Sequence, residues 1–352
     1  MILQPGTGPI RAATYLPADL DAIIWGRLPC AADAPVLSVS PGTEVTIDTV
    51  SHEGILEDQG RDPRAFFERY GAPGVLEDAI AIAASDDPHT MGADGPHVVS
   101  RPIEVQGARV GDLLKITVLE TLQRVPYGVV SNRHGKGALP GELPAGGATV
   151  SVYAAVDEDG EHGLIPLTEA GDGYARFPLR PFLGIMGVAV AGDERPHSVP
   201  PGPHGGNIDI NLLTVGSTLY LPVQVDGAMA YVGDPHFAQG DGEVALTAME
   251  ASLRATVALD VVAREDAVRA FGELVGPLAE TNEFLVPTGM DPSLDLAMQN
   301  CVRAAVALLQ ARFGMDQHLA YAYLSAATDF DISQVVDQVK GVHARIRKSD
   351  FA

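Results

Sequence analysis

Three carboxylates, an imidazole and three glycines fall within eleven consecutive residues, Gly233, Asp234, Pro235, His236, Phe237, Ala238, Gln239, Gly240, Asp241, Gly242 and Glu243. Packing alone accounts poorly for that density. On extended chain a spacing of two sends Asp234 and His236 to one face, and Asp241 and Glu243 repeat the spacing. Two such pairs can converge on one cation, and the intervening glycines permit backbone shapes closed to other residues and the close approach of a ligand. A second polar knot follows a run of prolines: His204, Gly205, Gly206, Asn207, Ile208 and Asp209 read as a turn that delivers polar groups, with Asn207 and Asp209 on one face if the chain is extended.

Each of these residues also has a plainer reading. Asp241 followed by Gly242 is a common hairpin signal. His236 alone suits a hydrogen-bonded core histidine, and the glycines after His204 suit an ordinary loop. The amide of Asn207 fits a turn cap as well as a substrate contact. The company these residues keep favours chemistry over packing. His52 fits a surface turn as well as a ligand, while His89 and His97 lie among prolines and glycines and read as loop residues.

The elements that must hold these groups are mostly short strands. Residues 36–39 and 44–50 flank a Pro41–Gly42 turn, and residues 103–105 and 113–119 flank a tight connection over 107–111. Strands are also expected over 219–225 and 243–262, the last with a helix as the competing reading, while 183–190 is apolar and small and leads into the proline run. The Gly- and Pro-rich stretch 127–147 reads as a long surface loop or lid, and its basic run Asn132, Arg133, His134, Gly135 and Lys136 stands out in an acidic chain. Near the C-terminus Asp291 and Pro292 look like a helix cap and first helical position, followed by Leu294, Ala297, Met298, Val302, Ala305 and Leu309 at helical spacing. A second helix is expected over 316–327 and a strand over 332–339.

The chain has 352 residues, 46% of them hydrophobic, enough for a sizeable core. Twenty-three basic against 46 acidic residues leave a formal charge of -23, which disfavours nucleic-acid backbones and anionic membrane surfaces as partners. Cys30 and Cys301 are the only cysteines, so neither a disulfide framework nor a thiolate metal cluster is suggested, and a cytoplasmic location is expected. The first twenty residues do not read as a secretion signal, and no apolar run is long enough to span a membrane. Neither a nucleophile elbow nor a nucleotide-binding glycine loop is present.

Residues spread along most of the chain resemble the acetamidase/formamidase family. They are Ile24-Trp25-Gly26-Arg27, Pro41-Gly42, Arg101-Pro102-Ile103-Glu104-Val105 with Gly111-Asp112-Leu113-Leu114, Gly184-Ile185-Met186-Gly187-Val188-Ala189, the two polar segments above, Tyr323-Leu324-Ser325, and Ile332-Ser333-Gln334-Val335-Val336-Asp337. The resemblance implies a mainly β fold with appended C-terminal helices (α+β), an acetamidase/formamidase-like β-sandwich. It further implies one domain over 1–352, β-rich over 20–265, with a helical part over 290–330 packed on it, and a homo-oligomer. The activity implied is that of a hydrolase acting on carbon–nitrogen bonds other than peptide bonds, an amidase that releases ammonia from a small amide. Ser51-His52-Glu53-Gly54 departs from the family pattern, so a lactam or a carbamoyl amide is an alternative substrate, and a non-catalytic metal-dependent ligand-binding protein is the alternative of another class.

Amide hydrolysis needs a polarised carbonyl, an activated water and a proton for the leaving amine. A divalent metal, zinc first, held by His52, Asp209, Asp234 and His236 would serve the first two. Glu243 is preferred over Asp241 as the proton relay because its side chain is longer. His204 and Asn207 are the expected substrate contacts, and Asp48 is a further ligand or an orienter of His52.

Overall fold

Buried and half-buried residues alternate along the longest strand from Leu114 to Leu119. In Leu113–Gln123 the side chains of Leu114, Ile116 and Val118 point inward, and they face Val261, Leu259 and Val257 across the ladder with Leu253–Val262. Each such fully buried aliphatic side chain contributes roughly 1.5–3 kcal/mol relative to exposure. The structure is a computed structural model and describes residues 2–86 and 88–351.

Among the described residues there are two large sheets. The first has nine strands in the order Thr14–Leu16, Thr43–Asp48, Leu253–Val262, Leu113–Gln123, Thr218–Pro222, Leu278–Glu280, Phe284–Asp291, Lys340–Arg347 and Asp329–Gln334. The second has twelve. Its main path runs Tyr174–Pro178, His162–Pro166, Thr149–Val156, Tyr127–Arg133, Met249–Glu250, Ala230–Ala238, Phe182–Val188 and Gly205–Asn207, with Ile23–Trp25, Leu37–Val39, Val98–Ser100 and Ile103–Val105 attached. One apolar core takes Val45, Ile116, Leu219 and Val257 from the first sheet and Ile103, Leu183, Met186 and Val232 from the second, so the two sheets form the expected sandwich.

Helix Leu294–Phe313 buries Ala297, Cys301, Ala305 and Leu309 and packs on strands Phe284–Asp291 and Lys340–Arg347. Gly289 makes this possible, because a Cβ there would collide with the backbone of Cys301 and Ala297. Helix Gln317–Ala327 follows, with Asp316 at its N-cap position. No helix among the described residues is long and apolar enough to cross a membrane.

Several expectations shift. The cap of the long helix is Ser293, not Asp291. Asp291 is held in the ladder opposite Lys340, and its Oδ1 accepts a 2.8 Å bond from the Ser293 amide. The expected loop 127–147 begins with a strand, Tyr127–Arg133, because Tyr127, Val129 and Ser131 are buried and pair along Thr149–Val156; only the remainder is a connection. Stretch 243–262 contains strands at Met249–Glu250 and Leu253–Val262 and no helix. The last expected strand stops at Gln334, whose Oε1 accepts from the Val336 and Asp337 amides and turns the chain. The connection over 107–111 links layers, since Ile103–Val105 and Leu113–Gln123 lie in different sheets.

Candidate metal centre

Strand Ala230–Ala238 carries Asp234 and His236 through the middle of the second sheet. There His236 pairs in register with Phe182 on one side and Glu250 on the other. The strand is not regular at this point: Asp234 has φ 51°, in the left-handed region, and the register shifts just beyond His236. Asp234 Oδ2 and Glu250 Oε1 each stand 3.1 Å from His236 Nε2. Asp209, also at positive φ, follows the short strand Gly205–Asn207, and its amide donates to Gly184 O at 3.2 Å. That places its Oδ1 4.0 Å from His236 Nδ1.

The loop after Thr43–Asp48 brings in His52, with Nδ1 3.7 Å from Asp234 Oδ1 and 3.9 Å from Glu250 Oε2. His97, just ahead of Val98–Ser100, points Nε2 to within 3.8 Å of Asp234 Oδ2, while Ser198 Oγ holds its Nδ1 at 2.9 Å. Donor atoms of three trios lie within 4.8 Å of one another: His52, His97 and Asp234; Asp209, His236 and Glu243; Asp234, His236 and Glu250. Gly184 leaves room for them. A Cβ there would sit 2.5 Å from Asp209 Oδ1, 2.6 Å from His236 Cε1 and 2.7 Å from Asp234 Oδ2.

The donors fit a divalent cation. Both ring nitrogens of His52 and of His236, both carboxylate oxygens of Asp209, Oδ1 of Asp234 and Oε2 of Glu250 are buried without a hydrogen-bond partner among the described residues. Orphaned polar atoms of this kind are costly, and a shared ligand is the usual remedy. The electrostatics agree. Burial and the neighbouring Asp337 push the Asp209 carboxyl well above its usual range, and burial with Asp209 does the same to Glu243. Asp337 is raised by burial and by Glu243. Burial also opposes charge on Asp234, but His97, His236 and His52 outweigh it and hold that carboxylate well below the usual value. On His52 burial is outweighed by Asp234, Glu53 and Glu250, which lift the imidazole to about 10. Crowded, mutually repelling carboxylates are what a divalent charge would relieve.

The structure thus brings His52, Asp209, Asp234, His236 and Glu243 together, and Asn207, its Oδ1 unpartnered, lines a cavity with His52, Asp234 and Glu243. His204 is buried but is not among the residues lining that cavity. Asp241 departs from expectation. Positive φ at Gly242 and Glu243 breaks the two-residue alternation, so Asp241 is exposed and bound by Asn211 Nδ2 at 3.1 Å while Glu243 is buried in the cluster. Asp48 does not orient His52 either. It accepts from Arg254 at 2.6 and 2.9 Å and from the Tyr15 hydroxyl at 2.7 Å, with Arg124 3.5 Å away, in a buried ion network.

Glu250, His97 and Asp337 were not foreseen in the cluster. Glu250 carried a signal, being a lone carboxylate between Ala248, Met249 and Ala251 in an otherwise apolar strand pattern. His97 carried none beyond its place before Val98–Ser100, and Asp337 depends on the turn made by Gln334.

Comparison with known proteins places these residues in context. The Acetamidase/Formamidase family model matches residues 189–345, which include Asp209, Asp234, His236, Glu243, Glu250 and Asp337 but not His52 or His97. A formamidase from Methylophilus methylotrophus is 32% identical over 192 residues, 42% of this chain and 47% of that protein. An acetamidase from Mycolicibacterium smegmatis is 28% identical over 199 residues, 42% of this chain and 49% of that protein. The matches therefore span about half the length of these relatives. A crystal structure of an acetamidase from Bacillus halodurans aligns with a TM-score of 0.74 and 24% identity over 96% of this chain and 98% of that one, which shows a common fold.

Proposed function

We propose that this chain, an acetamidase/formamidase-family sequence through residues 189–345, is a metal-dependent amidohydrolase that cleaves the C–N bond of a small linear amide to a carboxylate and ammonia. The observation that carries the reading is the convergence of Asp234, His236 and Glu250, with His52, His97 and Asp209 around them, where buried donors lack protein partners and His52, His97, Asp234 and Glu250 line a cavity.

His52, Asp209, Asp234 and His236 would hold the ion, with Glu250 and His97 completing the donor set. The mixed imidazole and carboxylate donors favour zinc. Bound there, a divalent ion would polarise the amide carbonyl and make water a competent nucleophile at neutral pH. The chain supplies the rest. Glu243, buried beside Asp209 and His236, is placed to take a proton from the attacking water and return it to the departing amine. The unpartnered Oδ1 of Asn207 can accept from the substrate's N–H2 and orient the amide.

The test is ammonia release by zinc-loaded protein, with and without chelator, together with Asp234→Ala and His236→Ala. Chelator should stop release, and both variants should lose metal and turnover together. Turnover that survives either change after metal loss is confirmed would sink the mechanism.

A further inference from the structure

We propose that the preferred substrate is larger than formamide or acetamide: an amide whose acyl group carries a compact apolar body, such as an aryl or medium-length alkyl chain, beyond the carbonyl. The proposal rests on the amidohydrolase reading and deepens it.

Two observations carry it. The first is space. The cavity lined by His52, Asp234, Glu243 and Glu250 has a volume of about 240 Å³. At the liquid's share of about 30 Å³ per water, that is room for about eight. Formamide and acetamide have only a handful of non-hydrogen atoms, and an ion with its water occupies few of the remaining places. Part of the cavity would stay filled with water around so small a substrate.

The second is the wall. Leu56, Met91, Val199, Leu246 and Val336 come from five separate segments and line the same cavity as the donors. Met91 is exposed, and Val199, Leu246 and Val336 are half-buried. Apolar side chains facing a water-filled cleft beside a polar cluster form a surface that gains from being covered, and binding sites for small molecules share that make-up. A short amide would reach the donors and leave this wall wet. A bulkier acyl group would cover it while presenting the same carbonyl and amine to Glu243 and Asn207.

The experiment compares kcat/KM for ammonia release from formamide, acetamide, hexanamide and phenylacetamide, using the full zinc-loaded chain. Hexanamide or phenylacetamide should exceed acetamide by about tenfold or more, the discrimination that a few buried methylene groups provide. Filling the wall with Val336→Trp should cut the ratio of phenylacetamide to acetamide by about tenfold. Met91→Trp, at an exposed position, should lower the same ratio and serves if the first variant fails to fold. Acetamide or formamide as the best substrate overturns the inference and leaves the amidohydrolase reading standing. A ratio unmoved by either folded variant overturns it as well. Release from none of the four amides by folded, metal-loaded protein removes the underlying reading and the inference with it.

Discussion

Glu250 faces His236 directly across the ladder between Ala230–Ala238 and Met249–Glu250, and its Oε1 stands 3.1 Å from the imidazole Nε2. A carboxylate fixed by sheet register beside a buried imidazole sets both the charge and the position of that ring. Glu250→Gln keeps the shape and removes the charge. Zinc affinity should fall by at least about 10–100-fold, the effect of losing even a group that only supports a ligand, and ammonia release with it. Competition against a chromogenic chelator measures this, and an unchanged affinity would take Glu250 out of the centre.

Glu243→Gln separates proton transfer from metal binding. The variant should retain its zinc and its KM while kcat drops by about 10²–10⁴-fold, the range for removing a general base. Metal analysis alongside steady-state kinetics decides the matter: loss of zinc in proportion to activity would make Glu243 a ligand instead of a relay.

Gly184→Ala tests whether the donors need the space beneath them. The added methyl would meet Asp209 Oδ1, His236 Cε1 and Asp234 Oδ2 at 2.5 to 2.7 Å, so all three side chains must move. A displacement of this kind can cost about 100-fold in rate, which is the loss expected here. Circular dichroism should remain that of the parent, and a variant as active as the parent would mean that the donors do not act in the arrangement described.

Asp48→Ala bears on stability and not on chemistry. Arg254 is fully buried, and removing Asp48 leaves its charge without a carboxylate partner, while Arg124 keeps Asp78 at 2.7 Å. The expected loss is about 3–5 kcal/mol in denaturant unfolding. A loss under about 1 kcal/mol, in the range of exposed pairs, would show that the network is solvated.

His343 supplies a pH dependence away from the centre. Burial pushes its imidazole down to about 4, against Asp331 at 3.9 Å, which favours the charge, and Arg345, which opposes it; Ser333 Oγ holds Nδ1 at 2.8 Å. The unfolded residue titrates near about 6.5, so between the two values the unfolded chain binds the extra proton. Stability contributed by this group is therefore complete above about pH 6.5, declines as pH falls towards about 4, and is flat below; the full change is about 3 kcal/mol. Urea unfolding at intervals across that window should show the slope in the parent and lose it in His343→Gln. Equal slopes in both proteins would assign the acid sensitivity to other groups.

The strands were legible because their patterning is local: residues 103–105, 113–119 and 219–225 declared themselves by branched and apolar residues between turns. Asp234, His236 and Asp209 were legible because reactive types stood beside glycines. What was hidden was long-range. Asp48 lies four residues before His52, yet the sheet hands it to Arg254, 206 residues away. Asp241 and Glu243 looked equivalent until the backbone turned between them. Glu250 needed the register with His236, and His97 needed the neighbouring Val98–Ser100 strand to lie against Gly233. Spacing in sequence predicts faces only where the chain is regular, and at this centre it is not.

Asp209, Asp234 and Glu243 adopt φ of 46°, 51° and 45°, a conformation that side chains other than glycine resist by about 1–3 kcal/mol each. Durability and work therefore pull in opposite directions at these three positions. Glycine would relieve the backbone at each and, at Asp209 and Glu243, where carboxyls crowd one another, would raise the melting temperature, but it would erase a carboxylate each time. In a population of variants selected only for survival on heating, these positions should be among the first to change, and the hardiest descendants should be the least able to act on an amide.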